Sequence, residues 1–378
     1  ILQPWGLGIM SDLASARKLT ASTAQLPIYT YFDPAYYALE QTHLFADAPQ
    51  YYGHALMTPN VGDYHTLGWL NHGKMLKRTT QGIELLSNVC RHRQALMLKG
   101  RGNGDNIVCN IHGWTYNNQG TLIAAPHFEH TPCLNLGQTS LTAWNGLLFD
   151  ARRDIAADLA KLGVAKHLTF ENYSYHETVM TEYDFNWKTF IEVYSEDYHV
   201  DPFHPGLGNF VNCGDLKWEW GDQYHVQTVG VKNGLARSGS KVYADWHAQV
   251  LRRYADKQPE FGAIWLTYYP NIMVEWYPHV LVVSVAIPRG PEKTTVITEF
   301  YYPEDIVWFE PEFIAAEQAA YFETAVEDDD ICNRMHEGRK ALWLRGESEV
   351  GPYQTPTEDG MQHFHAFYRR KMGEALRG

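Results

Sequence analysis

Residues 88–98, NVCRHRQALML, and 109–122, CNIHGWTYNNQGTL, carry the decisive pattern in this chain of 378 residues. Cys90-Arg91-His92 is followed, after residues 93–108, by Cys109-Asn110-Ile111-His112. Two Cys/His pairs with their ligands two or three positions apart suit two loops at the tip of a β domain. Two thiolates and two imidazoles can hold a 2Fe-2S cluster, cysteines on one iron and histidines on the other, or a tetrahedral zinc ion. The flanks support the β reading. Between about 50 and 150, short β-prone runs at 64–70, 74–78, 83–89 and 147–151 are separated by Gly, Asn and Asp, the pattern of a small antiparallel domain. Gly100-Arg101-Gly102-Asn103-Gly104 has no helix after it, so it reads as a turn and not a phosphate loop.

A second constellation lies in residues 186–206, NWKTFIEVYSEDYHVDPFHPG. The spacing predicts a helix over about 185–200, with Glu192, Glu196 and His199 on one face at i, i+4, i+7. His204 comes just past Pro202, where that helix should end and let the chain fold back toward His199. Two imidazoles and a carboxylate on one face of a ferrous ion leave positions open for dioxygen and substrate. The carboxylate must then come from elsewhere in the chain, and His-x4-His alone is a weak signal.

Elsewhere, residues 34–47 predict a helix behind an Asp-Pro start, 152–167 a polar helical linker, and 262–301 paired strands punctuated by Pro270-Asn271 and by residues 288–291. Helices are expected at 310–325, 328–340 and 358–375. The fold class is α+β. A net charge of −13 with 31 scattered Lys and Arg argues against nucleic acid and anionic membrane as partners. The longest apolar run, residues 280–288, is far short of the roughly 20 residues a spanning helix needs. The opening residues lack the order of a secretory signal, and five cysteines (90, 109, 133, 213, 332) are too few and odd for a disulfide framework. A cytoplasmic protein is expected, with Cys133, Cys213 and Cys332 as buried thiols and His127, His130, His363 and His365 as ordinary histidines.

Both pairs, their separation, Gly113, Trp114, Tyr116 and Gly120 resemble the Rieske signature of ring-hydroxylating oxygenases, and Gln94 stands where that family often has Gly. Asn186-Trp187-Lys188 followed by Glu196-x-x-His199-x4-His204 resembles the iron-binding segment of the same alpha subunits. The resemblance implies a Rieske 2Fe-2S cluster on Cys90, His92, Cys109 and His112, and a mononuclear Fe(II) on His199 and His204. Registering Gly338 on the family's Gln-x-Gly element puts Asp328 at the third ligand position, with Asp329 and Asp330 as alternatives; by residues alone this acidic run also reads as a helix start. Glu196 takes the place of the carboxylate that bridges, between subunits, the Rieske histidine, here His112, and the iron-bound His199.

That resemblance implies three parts: an N-terminal helical segment, 1–47, packing on the catalytic domain; a Rieske domain, 48–155; and a catalytic domain, 156–378, of START/Bet v1-like type with an antiparallel sheet flanked by helices. It implies an oxygenase component with O2 as co-substrate, forming a homotrimer and fed by a separate NAD(P)H-dependent reductase or ferredoxin. Glutamate at 196 looks more like the choline and carnitine branch, so the small-molecule substrate is expected to be a quaternary ammonium compound or an aromatic acid. Trp265, Tyr268, Tyr269, Trp276 and Tyr277 are the candidate aromatic cage. The rival reading is a Rieske electron-transfer protein with a non-catalytic ligand-binding second domain.

Overall fold

The computed structural model describes residues 24–255, 257–373 and 376; the part of the expected N-terminal segment before residue 24 lies outside them. The chain forms two compact units: a smaller one of Asp47–Lys161 with Leu168–Glu177, and a larger one holding the chain up to Ala46, Leu162–His167 and everything from Thr178 onward. The smaller unit thus keeps 156–161 and 168–177, which the 155/156 boundary assigns to the catalytic part. The Leu168 carbonyl accepts from Asn145 Nδ2 at 2.9 Å, and Phe170 packs on His54 with ring centroids 4.3 Å apart, which fastens this return to the smaller unit.

In that unit a five-stranded antiparallel sheet runs Arg101–Asn103, Asp63–Thr66, Lys74–Thr79, Gly82–Ser87, Gln138–Thr139. Residues 101–103 are therefore an edge strand rather than the expected turn. A three-stranded sheet of Asn106–Val108, Thr115–Asn117 and Leu122–Ala124 lies beside it in sequence, and both ligand loops hang from these strands. The core between them buries Met75, Leu86, Ile107, Trp114 and Tyr116.

The larger unit is built on seven strands, β1 (Tyr173–Tyr183, in this unit from Thr178 onward), β2 (Val211–Trp220), β3 (Tyr224–Val231), β4 (Ala263–Tyr268), β5 (Ile272–Tyr277), β6 (Val280–Gly290) and β7 (Lys293–Pro303), in the order β1-β7-β6-β5-β4-β3-β2. From β2 to β7 each strand pairs antiparallel with the next, so chain order and sheet order coincide. All six residues of β4 and residues 280–286 of β6 are buried. Strands covered on both faces read as continuous apolar runs, which is how 280–288 looks in sequence.

Helices α1 (Pro34–Glu40), α2 (Trp187–Tyr194), α3 (Lys241–Arg253), α4 (Pro311–Arg345) and α5 (Asp359–Met372) pack around this sheet. Two helices differ from expectation. The helix expected over 185–200 stops at Tyr194, and a separate short helix, Val200–Phe203, contains Pro202 rather than ending before it. The helices expected at 310–325 and 328–340 are one helix of 35 residues, opened by Pro311 and closed by Gly346 in the left-handed region at φ 70°. Nothing at Val326-Glu327 breaks a helix, and the acidic run sits mid-helix, too far from the N-terminus for its dipole to act. Among the described residues no helix is long and apolar enough to cross a membrane.

The Asn-Trp-Lys segment fastens α2. Asn186 caps it, its side chain accepting from Lys188 N at 3.0 Å; Trp187 Nε1 donates to Glu40 Oε2 at 3.0 Å and Lys188 Nζ to Glu40 Oε1 at 2.5 Å. Glu192, expected on the iron-facing side of the helix, is instead fully buried against α4 and α5: Arg339 lies 2.7 Å away and His365 Nε2 2.8 Å away. Burial alone would raise the Glu192 carboxyl, but the Arg339 guanidinium and the His365 hydrogen bond hold it at about 2. Removing one member of such a pair strands the other charge in the core, so Arg339→Met is expected to lower unfolding free energy by about 3–5 kcal/mol in urea denaturation.

Candidate active site

The first ligand loop, 88–98, is pinned at its base by Asn88, whose side chain donates to Leu98 O at 2.8 Å and accepts from Leu98 N at 2.9 Å. Its tip turns through Gln94 at φ 54°, a left-handed conformation that explains why glycine suits the position. The second loop closes with Cys109 N donating to Trp114 O at 2.8 Å and Gly113 N to Cys109 O at 2.9 Å, Gly113 itself standing at φ 71°. Cys90 and Cys109 are buried, and the Tyr116 hydroxyl lies 3.7 Å from Cys90 Sγ while accepting from Arg91 N at 3.0 Å. The His92 and His112 rings approach to 4.7 Å, and His92 stacks on Trp114 at 5.0 Å. His92 Nδ1 is buried with no hydrogen-bond partner. An orphan ring nitrogen beside a second imidazole and two buried free thiols is a donor set that suits a 2Fe-2S cluster.

In the larger unit His199, His204 and Asp328 offer ligand atoms that all lie within 4.8 Å of one another. Both imidazoles aim Nε2 at one oxygen: Asp328 Oδ1 is 3.3 Å from His199 and 3.0 Å from His204. Each ring's other nitrogen meets a carboxylate, Glu196 Oε1 at His199 Nδ1 and Glu327 Oε2 at His204 Nδ1, the latter at 2.7 Å. Glu196 is positioned by its own turn, accepting from Tyr198 N at 2.5 Å and His199 N at 3.2 Å. Burial alone would depress both imidazoles and raise the aspartate. The mutual hydrogen bonds reverse this, taking His199 to about 10 and Asp328 below its ordinary value. Two rings and one carboxylate around one point, with a further carboxylate behind each ring, are arranged for a cation, and two His with one Asp is the facial set that suits iron. Of the two alternative ligands, Asp330 pairs with Arg334 at 2.9 Å on the surface, and Asp329 is hydrogen-bonded to Tyr183.

These three residues border a cavity of about 240 Å³. Of the five candidate cage aromatics, Trp265 and Tyr277 line it, while Tyr268, Tyr269 and Trp276 do not; Tyr269 packs instead on Phe367 and His363. Sequence reasoning missed Tyr194 and Tyr321, which belong to the aromatic wall together with Phe190, Phe210, Tyr243 and Trp246, and two carboxylates, Glu275 on β5 and Glu317 on α4. The available signal was a lone acid in the apolar strand IMVEWY and a stripe on α4, where Glu317, Tyr321, Thr324 and Asp328 repeat at i, i+4, i+7, i+11.

Glu275 accepts from Tyr277 Oη at 2.8 Å and from Ser284 Oγ and Tyr321 Oη, each at 3.2 Å; Glu317 accepts from Tyr302 Oη at 2.5 Å. Burial pushes Glu275 up to about 7 against those three donors, and pushes Glu317 up to about 8, with Glu275 adding to the rise. Among the other cysteines, Cys332 is buried but Cys133 is exposed and Cys213 intermediate, so the expectation of buried thiols fails for Cys133. His363 and His365 are engaged by tyrosines, Tyr269 and Tyr353.

Residues 170–374 match the ring hydroxylating alpha subunit (catalytic domain), and residues 58–135 match the Rieske [2Fe-2S] domain. This chain belongs to the Rieske non-heme iron oxygenases. As such it is an oxidoreductase whose cofactors are a Rieske 2Fe-2S cluster and a mononuclear iron, with O2 as co-substrate. The oxygenase is 58% identical over 363 residues to a putrescine 2-hydroxylase of Ralstonia nicotianae, covering 96% of this chain and 100% of that one. It is 24% identical to the chloroplastic choline monooxygenase of Beta vulgaris, over 90% of this chain and 75% of that one. A solved quaternary ammonium Rieske monooxygenase, described in terms of carnitine oxidation and inter-subunit electron transfer, shares the fold at a TM-score of 0.73 with 18% identity, covering 94% and 96% of the two chains.

The raised carboxyls have a measurable consequence. Between the unfolded value of 4.5 and about 8, Glu317 is protonated when folded and ionised when unfolded, so its contribution to stability falls as pH rises through that window. Without substrate the oxygenase should therefore melt lower at pH 8 than at pH 5.5, and Glu317→Gln should raise the melting temperature at pH 8 by about 3 °C or more while changing it less at pH 5.5.

Proposed function

We propose that this oxygenase hydroxylates C2 of putrescine or a closely similar short aliphatic diamine: R–H + O2 + 2 e⁻ + 2 H⁺ → R–OH + H2O. The carrying observation is the aromatic cavity bordered by His199, His204 and Asp328 and bearing the buried acids Glu275 and Glu317. The near-full-length similarity to a putrescine 2-hydroxylase supports the same reading. An acid-bearing cavity favours a cationic substrate, and it opposes the aromatic acid that the sequence left open.

In this reading Cys90, His92, Cys109 and His112 hold the cluster, and His199, His204 and Asp328 hold the mononuclear iron. When bound, the cluster delivers electrons one at a time and the iron activates dioxygen. The protein's own groups do the rest. Glu196 and Glu327 fix the tautomer and orientation of His199 and His204 by accepting from their Nδ1–H groups. Trp265, Tyr277, Tyr194 and Tyr321 exclude water from the carbon chain and attract its charge.

Glu196 is the bridging carboxylate between His199 and the Rieske histidine of a neighbouring copy in a head-to-tail homotrimer, a closed heterologous ring. Electrons enter from a separate NAD(P)H-dependent reductase or ferredoxin. A cytoplasmic setting fits the five free cysteines. The smaller unit, Asp47–Lys161 with Leu168–Glu177, serves as the cluster domain and the larger unit as the catalytic domain.

Reductant-dependent oxygen uptake with putrescine, and 2-hydroxyputrescine by mass spectrometry, test the activity; no uptake with any short amine would refute it. Asp328→Ala should lower iron from about three to about two per chain with acid-labile sulfide unchanged. Should Asp329→Ala do this instead, the ligand is Asp329. Glu196→Gln should keep both metal complements yet cut turnover by about 100-fold.

A further inference from the structure

We propose that Glu275 and Glu317 form the anchoring site for a protonated amine that carries N–H donors, so that the cavity selects a primary ammonium group over a quaternary one. This rests on the amine-oxygenase reading above and assigns its specificity to two residues.

Glu275 and Glu317 are 2% and 3% exposed, and both border the cavity. Of the other buried acids of this unit, Glu40 has Lys188 and Glu192 has Arg339 as fixed cations, while Asp197, also on the cavity wall, is hydrogen-bonded to Cys213. Neither Glu275 nor Glu317 pairs with a Lys, Arg or His among the described residues, and their only partners are hydroxyl groups. A buried carboxylate without a cation is costly, and such groups persist where a function uses them. A second observation points to a ligand at the same place: the Tyr194 hydroxyl, on the cavity wall, is buried with no hydrogen-bond partner.

The chemistry of the wall separates amine classes. Aromatic faces alone hold a trimethylammonium head, which has no hydrogen to donate. Carboxylates that already accept from tyrosine keep lone pairs for further N–H donors, and a primary ammonium brings three. The α4 register gives the orientation. Glu317, Tyr321 and Asp328 share one face, and Tyr321, whose hydroxyl meets Glu275, stands seven residues or about 10 Å of helix before Asp328. That span suits a short aliphatic chain with a contact at each end. In a diamine the amino group more remote from the hydroxylated carbon therefore docks at the acid pair.

Calorimetric titration of the oxidised holoenzyme with putrescine, butylamine, choline and 1,4-butanediol tests this. The diol and choline should each bind at least about ten-fold more weakly than putrescine, and Glu275→Gln and Glu317→Gln should each raise the putrescine Kd at least about ten-fold while leaving the diol's unchanged. Variants that keep their cluster absorbance and bind putrescine with the parental Kd would overturn the assignment. So would a diol that binds the parent as tightly as the diamine, a comparison needing no variant, or choline binding as tightly as butylamine. A parent that turns over no putrescine, yet binds butylamine through these two acids, would instead refute the putrescine reading and leave the ammonium site standing.

Discussion

The buried ion pair of Glu192 with Arg339 sets the register on which the catalytic centre depends. The two partners lie 2.7 Å apart on α2 and α4, the elements that lead to His199 and His204 and that carry Asp328. Arg339 is three helical turns from Asp328, and Glu192 lies seven and twelve residues before the two histidines. On α4 the unbroken helix carries that spacing from Arg339 to Asp328, while the histidines follow α2 through a turn and the short helix Val200–Phe203. His365 adds α5 to the same carboxylate, and Glu40 does the equivalent for α1 by taking bonds from Trp187, Lys188 and Tyr368.

Around the meeting point the charges are organised in layers. Asp328 faces both Nε2 atoms, while Glu196 and Glu327 take the outer ring nitrogens. The repeated carboxylate–histidine contact holds each imidazole in one tautomer, which a metal site requires of its ligands. The two Cys/His loops of the smaller unit achieve the same end without carboxylates: Trp114 stacking holds His92, and backbone bonds hold the thiols.

The cavity joins two demands that oppose each other. Aromatic walls keep water away from the reacting carbon, and that dryness raises the acids Glu275 and Glu317 toward neutral pH. A cationic substrate reconciles them, since it supplies the charge that the wall withholds.

How much was legible in the sequence follows from the range of each signal. The two Cys/His pairs and His199 with His204 were legible as patterns because each lies within a short contiguous stretch, where a loop or one helical turn converts spacing into geometry; Asp328 came from the resemblance to the Rieske oxygenases and not from spacing. The α+β class and the strands at 262–301 were readable for the same reason, through turn residues and alternation. Where α2 ends, and hence that Glu192 serves the core while Glu196 serves the site, was decided by tertiary packing, because Arg339 and His365 lie more than a hundred residues away. The single α4 helix, the choice of Trp265 and Tyr277 over Tyr268, Tyr269 and Trp276, and the convergence of Glu275 with Glu317 were likewise decided only when a strand and a distant helix met. Sequence determines which chemistry a short segment can offer; only the folded core determines which face of that segment is turned toward the cavity.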